Sequence, residues 1–545
     1  MENLATNGGT LKRLGKIMLK WLENAVLYQI YPISFFDSNG DGLGDLKGIE
    51  QKVDYIKSLG VDGVWLNPIF KSPFKDGGYD VSDYLEIDKR FGSKEDLISL
   101  IKAFKSRGLK IILDLVVGHT SDKHPWFKKS ARVKKNEYSD YYVWTNNLFE
   151  DYPGLIRGLY YRDGGYLPNY YASQPALNFG FENVDEDCPW KIHYKDERLK
   201  PLRDEFINVM RHYFDLGVDG FRVDLAGTIV KGGATFNADD IYDDSEDRLQ
   251  GVKWVWNEIL GTLRQEYPDK VFIAEWVMPQ RSIKACGFDM DFLTHDTPPF
   301  NTLYRNEKGT NLTDSDYYVR GFNYFSPEGK GSLDEFVHYV EYLYSRLGDT
   351  GVFTAPTGTH DEVRMPTGKS PDMVKTIFAF LLTLKQVPFI YYGDEIGIEH
   401  NFSVSKDGGG IRTGARTPMQ WSEEKGRGFS TRKSTYLPTS CKKGQSVEAQ
   451  EKCADSILNV VKELIKIRKE YPALYVNSSQ TFIEKGYPAI FERSNGEQTV
   501  TVLINPSNQS VTRKMSYSKV IKSQNVIFSN DEITLNSQSF AILLK

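Results

Sequence analysis

Eight short apolar runs, separated by longer stretches of helical periodicity, constrain this chain more than any other feature. The runs cover residues 25–33, 61–66, 111–117, 218–223, 271–274, 288–293, 352–355 and 388–392. Apolar residues at helical spacing fill 46–59, 94–107, 201–216, 333–347 and 370–384. Strands that alternate with helices form a parallel sheet, and eight such units predict an α/β fold, the (β/α)8 TIM barrel. On that fold the functional residues sit at the carboxyl ends of strands and in the loops that follow them.

Two connections are too long for ordinary loops. Residues 120–199, rich in Tyr, Asn, Asp and Gly, separate the third strand from its helix and read as an inserted subdomain forming one wall of a cleft. Residues 400–450, with many Gly, Arg and Lys, form a second insertion after the eighth strand. Beyond Tyr471 short β-branched runs alternate with Asn, Ser and Gly turns, which predicts an all-β C-terminal domain, a small sandwich. The expected organisation is an extension at 1–20, a barrel at 21–119 and 200–465, an inserted subdomain at 120–199 and a β-sandwich at 466–545. The first segment carries Lys12, Arg13, Lys16 and Lys20, lacks the apolar core of a secretory signal, and precedes a second candidate start at Met18.

Composition removes several function classes. A net charge of −5 offers no basic surface to nucleic acid or acidic lipid. No stretch approaches the length of a membrane-spanning helix. Cys188, Cys286, Cys441 and Cys453 form no Cys-x-x-Cys pair, so zinc and redox motifs are not expected. Free thiols in a reducing, cytoplasmic compartment are expected, with a Cys441–Cys453 disulfide as the alternative. Aromatic residues make up 13% of the chain; most are expected in the core, while some can stack on sugar rings.

Three of the apolar runs end in carboxylates. Gly220-Phe221-Arg222-Val223-Asp224 delivers an acid at a strand end, with Arg222 on the same face two residues earlier. A guanidinium there is expected to lower the acid's pKa and keep it ionised, as a nucleophile requires. Glu275 ends the run at 271–274, and Asp361 follows Gly358-Thr359-His360. Three acids at strand ends of one barrel predict a single site.

These residues, in this order, resemble glycoside hydrolase family 13, the α-amylase family. Asp114-Leu115-Val116-Val117-Gly118-His119 is similar to the family's block at the third strand, Gly220–Asp224 to the nucleophile block, Glu275 to the acid/base and His360-Asp361 to the transition-state carboxylate. Gln174-Pro175-Ala176-Leu177-Asn178, Tyr391-Tyr392-Gly393-Asp394-Glu395 and Gly414-Ala415-Arg416-Thr417-Pro418-Met419-Gln420-Trp421 resemble the oligo-1,6-glucosidase, α-glucosidase and trehalose synthase branch.

The resemblance implies a retaining hydrolase of α-linked gluco-oligosaccharides, a monomer or weak homo-oligomer. Asp224 would be the nucleophile, Glu275 the acid then base, and Asp361 the stabiliser of positive charge. His119 and His360 would donate hydrogen bonds to sugar hydroxyls, and Tyr79 would stack on the sugar. Asp80 would bind the sugar, with Arg416 paired to it to close the pocket. Transfer to a second sugar, as in trehalose synthase, would use the same three acids. A non-catalytic binding subunit on the same barrel is the third reading, weakened by the intact acids.

The segment Asp37-Ser38-Asn39-Gly40-Asp41-Gly42-Leu43-Gly44-Asp45 places oxygen side chains at alternate positions, like the first half of an EF-hand loop. The resembled branch binds Ca²⁺ or Mg²⁺ there. The expected ligands are Asp37, Asn39, Asp41, Asp45 and the Leu43 carbonyl, in a structural role. Four positions depart from the family pattern. Gly118 and Thr359 stand where Asn is usual, and Ala176 where the branch often has Asp. Leu225 stands where a small or β-branched residue follows the nucleophile, which leaves linkage preference open.

Overall fold

The computed structural model describes residues 18–150, 152–232, 241–242, 249–305, 322–439 and 442–545. Lys12, Arg13, Lys16 and Cys441 lie outside the described residues. Eight parallel strands form the central sheet: β1 (Leu27–Ile30), β2 (Gly63–Leu66), β3 (Lys110–Val116), β4 (Gly220–Asp224), β5 (Val271–Ala274), β6 (Met290–Phe292), β7 (Val352–Thr354) and β8 (Phe389–Tyr391). Strands β1 to β7 pair in chain order, and β1 also pairs with β8. Beyond the end of β7, Thr357 N donates to Phe389 O of β8 at 3.0 Å and draws the remaining seam together. The strands read apolar throughout because both faces are covered.

One face points into the barrel. Leu27, Trp65, Ile112, Val271, Ile273, Met290, Phe292, Val352 and Phe389 form that interior cluster. The other face meets helices α1 (Leu46–Gln51), α2 (Val53–Leu59), α3 (Lys94–Ser106), α4 (Lys200–Leu216), α5 (Gln250–Glu266), α6 (Asp334–Leu347), α7 (Pro371–Thr383) and α8 (Ile457–Glu470). Polar caps fix the helix starts: Ser93 and Asp96 make a capping box on α3, and Ser370 and Ser456 cap α7 and α8. The single helix expected over 46–59 is broken at Lys52, whose ammonium lies 4.1 Å from the ring centroid of Phe36 and 4.4 Å from that of Trp421.

The segment 120–199 has little regular structure. The bridge His119–Ala176 ties it to the chain just beyond β3, and Tyr142–Leu177 bridges within it. Aromatic packing fills it, with Phe127 stacked on Trp144 at 5.7 Å. The expected boundary at 465/466 falls inside α8, because that helix keeps its apolar stripe to Ile467. The C-terminal domain is one six-stranded antiparallel sheet, residues 479–544. Phe491, Val502 and Ile542 on one face join the main core, while Ile490, Leu503, Leu535 and Leu543 bury a second, smaller one. Among the described residues no helix is long and apolar enough to cross a membrane.

Candidate active site

The loops at the carboxyl ends of the barrel strands enclose a pocket of about 600 Å³. Asp76 and Tyr79 reach it from beyond β2, His119 from β3, Asp224 from β4, Glu275 from β5, Asp361 from β7 and Arg412 from β8. Thus all three acids predicted from strand ends line one cavity.

Arg222 is the hub. Its Nη1 lies 2.9 Å from both Asp224 Oδ1 and Asp114 Oδ1, and its Nη2 pairs with Glu275 Oε1. Asp114 also accepts from Trp65 Nε1 at 3.1 Å and Tyr79 Oη at 2.8 Å. Three acids around one cation cannot all lose their protons cheaply in a buried site. Burial pushes the Glu275 carboxyl up to about 7, against the pull of Arg222 and with help from Asp224 and Asp361. Burial also raises Asp224, outweighing Arg222. The expected net lowering of Asp224 by Arg222 is therefore corrected: the arginine moderates a rise caused by desolvation. The anionic neighbours Asp114 and Asp361 add to the rise at Asp224.

The other end of the pocket is built on Asp361. Burial works to raise its pKa, but His360, Arg412 and Arg416 hold it well below the usual carboxylate range. Asp361 Oδ2 lies 2.9 Å from His360 Nε2, and Oδ1 lies 2.8 Å from Arg416 Nη2 and 3.1 Å from Arg412 Nη1. The anticipated Arg416–Asp80 pair is not formed. Asp80 is fully buried and accepts from Ser72 Oγ at 2.8 Å, Lys75 N at 2.9 Å and Asp76 N at 3.2 Å, so it fixes its own loop and does not line the pocket. Asp76 takes the place expected for Asp80. Its Oδ1 lies 3.6 Å from Arg412 Nη2, and its Oδ2 accepts from Gln174 Nε2 at 2.8 Å. Gly77 follows it because a Cβ there would meet Tyr31 Oη at 2.7 Å and Arg416 Nη1 at 2.9 Å.

The two histidines are held by neighbouring protein groups. Burial lowers His360 to about 4, so the ring is neutral; Nε2 donates to Asp361, and Nδ1 is 3.1 Å from Gln29 Nε2. Both nitrogens are engaged and the ring stacks on Tyr79 at 5.1 Å, so His360 orients Asp361. His119 lines the pocket, but burial lowers it to about 4 and its Nε2 and Nδ1 contact Tyr79 O and Asn169 Nδ2, both at 3.0 Å. Its one N–H is thus already engaged. Gly118 leaves room for Asn169, whose Nδ2 would be 3.1 Å from a Cβ at 118.

Asp114, Asp76 and Arg412 were not singled out from the sequence. All three lay inside or beside quoted motifs, at the start of Asp114–His119, three residues before Tyr79, and four before Arg416. Asp291 carried no comparable signal. This buried acid in β6 accepts from the N–H groups of Trp276 at 3.0 Å and of Val277 and Met278 at 3.2 Å, and from Ser282 Oγ at 2.7 Å. It thereby holds the turn after Glu275, in which Val277 has φ of 58°.

The loop at 37–45 lies beyond β1, under the 430–436 segment. Asp37 accepts from the N–H groups of Asn39, Gly40 and Gly42, and Asp45 from Ser38 and Gly48. Among the described residues no three His, Cys, Asp or Glu side chains gather as a metal site. The donor chemistry nonetheless fits a hard cation: three carboxylates, an amide and a carbonyl offer only oxygen. Asp37 and Asp45 are buried with no ion pair among the described residues, and burial, with Asp37 beside it, raises the Asp45 carboxyl.

The family pattern described as "Alpha amylase, catalytic domain" matches residues 29–477. An oligo-1,6-glucosidase of Heyndrickxia coagulans is 31% identical over 91% of this chain and 94% of its own length. A trehalose synthase/amylase of Mycobacterium tuberculosis is 27% identical over 84% of this chain and 77% of its own. Among solved structures, an isomaltulose synthase of Erwinia rhapontici superposes with a TM-score of 0.78 at 25% identity, covering 96% of this chain and 99% of that one.

Proposed function

This chain belongs to the alpha-amylase family, a family of glycosidases, and from that premise we propose that it is a retaining α-glucosidase acting on short α-linked gluco-oligosaccharides. The observation that carries this reading is Arg222 bridging Asp224 and Glu275, two acids that line one pocket. Asp224 attacks the anomeric carbon while the bond to the leaving oxygen breaks and Glu275 transfers its proton to that oxygen. The glucosyl ester on Asp224 is then opened by water, from which Glu275, now ionised, takes a proton. Asp361, kept anionic by its two arginines, faces the positive charge that builds on the ring in both steps. Asp76 and Arg412 close the end of the pocket, which favours removal of terminal glucose over internal cleavage.

Transfer of glucose to a second sugar is the other reading, supported by the likeness to trehalose and isomaltulose synthases. Incubation with isomaltose, maltose and sucrose followed by sugar analysis separates the two. Free glucose alone supports hydrolysis; trehalose or a rearranged disaccharide supports transfer.

A structural Ca²⁺ or Mg²⁺ belongs to the same proposal. It would be held by Asp37, Asn39, Asp41, Asp45 and the Leu43 carbonyl, would neutralise the buried acids of that loop, and takes no part in bond cleavage. Cytoplasmic residence is likewise proposed, supported by Cys188, which forms no disulfide among the described residues.

A further inference from the structure

The pocket divides according to which strands supply its walls. Asp76, Tyr79, His119, Asp361 and Arg412, from the loops after β2, β3, β7 and β8, surround the sugar that Asp224 attacks. The loops after β4, β5 and β6 supply Leu225, Trp276, His295 and Asp296. Glu275 stands on this second side and must reach the leaving oxygen, so the leaving group lies against these residues. Leu225 and Trp276 are apolar; His295 and Asp296 are ionisable, and the mechanism does not use them.

We propose that His295 and Asp296 form the binding site for the leaving-group sugar, and that they select a hydroxylated leaving group over an aryl one. This inference rests on the α-glucosidase reading and adds which part of the substrate is read, and by what.

The pair is built into the fold. Glu362, the residue after Asp361, is buried and does not line the pocket. Its Oε1 accepts from His295 N at 2.7 Å and lies 3.5 Å from His295 Nδ1. Arg305 Nη2 lies 2.9 Å from Glu362 Oε2 and donates to Thr357 O at 2.8 Å. Asn301 Nδ2 donates to His295 O at 2.6 Å. The ring is therefore anchored by the helix Pro298–Tyr304, by the residue just beyond it and by the loop after β7. Its Nε2 faces Asp296 Oδ2 at 3.6 Å.

Burial opposes a charge on the ring, but Asp296 and Glu362 outweigh it and push its pKa up to about 9. A protonated imidazole only donates and a carboxylate only accepts. A sugar hydroxyl does both, so neighbouring hydroxyls suit the two groups side by side. A p-nitrophenyl ring has no hydroxyl to offer.

The test compares kcat/KM for isomaltose with that for p-nitrophenyl α-glucoside, using the full chain and the variants His295→Ala, His295→Gln and Asp296→Ala. In the His295 variants the ratio of disaccharide to aryl activity is expected to fall about tenfold or more, the scale of a hydrogen bond from a charged donor. An unchanged ratio, with both substrates slowed alike, overturns the inference while leaving the α-glucosidase reading intact. Wild-type protein that cleaves neither substrate overturns both. Should the His295 variants fail to fold, the ratio in Asp296→Ala, whose carboxylate is exposed at the pocket mouth, decides alone.

Discussion

At the residue scale, the chemistry comes from how unequally one pocket treats its acids. Asp361 has two arginines and a histidine; Glu275 and Asp224 share one arginine with Asp114. Glu275 works only while it holds a proton, and its raised pKa of about 7 means that proton is present below that pH and lost above it. The alkaline limb of kcat/KM on disaccharides should therefore fall near pH 7. Glu275→Gln should abolish that limb and most of the activity, as a pH–rate series on both proteins will show. Arg412 bridges Asp76 and Asp361, so Arg412→Ala should lower kcat/KM about 10- to 100-fold, the scale of a lost charge-assisted hydrogen bond. Asp224 and Glu275 were legible in the sequence because each ends an apolar run, and Asp361 because it follows one closely in a His-Asp pair. The pairing of the arginines was not: Asp76 and Asp80 are the same residue type four positions apart, and only the folded loop shows that Asp80 turns inward to Ser72 and the Lys75 N–H.

At the scale of elements, strand positions were readable because barrel strands are apolar on both faces and bounded by polar caps. The inserted segment and the loop after β8 were legible as long connections only, since their form depends on isolated bridges and aromatic packing without periodicity. Asp291 was hidden for a related reason: an acid inside an apolar strand carries no sign of which N–H groups it will meet. It takes three of them from the turn after Glu275. Asp291→Asn should let that turn relax and misplace the acid. Disaccharide hydrolysis should fall about tenfold or more, while α-glucosyl fluoride, whose leaving group needs little protonation, should lose less. Equal losses on both substrates would mean that Asp291 matters for folding alone.

At the scale of the whole molecule, distant stretches converge because parallel strands all end on one rim. The loop after β1 buries Asp37 and Asp45 under a segment that follows β8, and thus joins the first and last barrel units. If that loop holds its proposed cation, removing it with EDTA should lower the melting temperature by several degrees, and added Ca²⁺ or Mg²⁺ should restore it. Calorimetry in the presence and absence of chelator reads this directly. The barrel's larger consequence is stereochemical. Arg222 pairs with Asp224 through Nη1 and with Glu275 through Nη2, which keeps the two carboxyls close together, the arrangement that double displacement uses. Proton NMR of the first sugar released from an α-linked disaccharide tests that commitment. Glucose appearing first as the α-anomer and mutarotating later is the predicted result; β-glucose appearing first would contradict a covalent intermediate on Asp224.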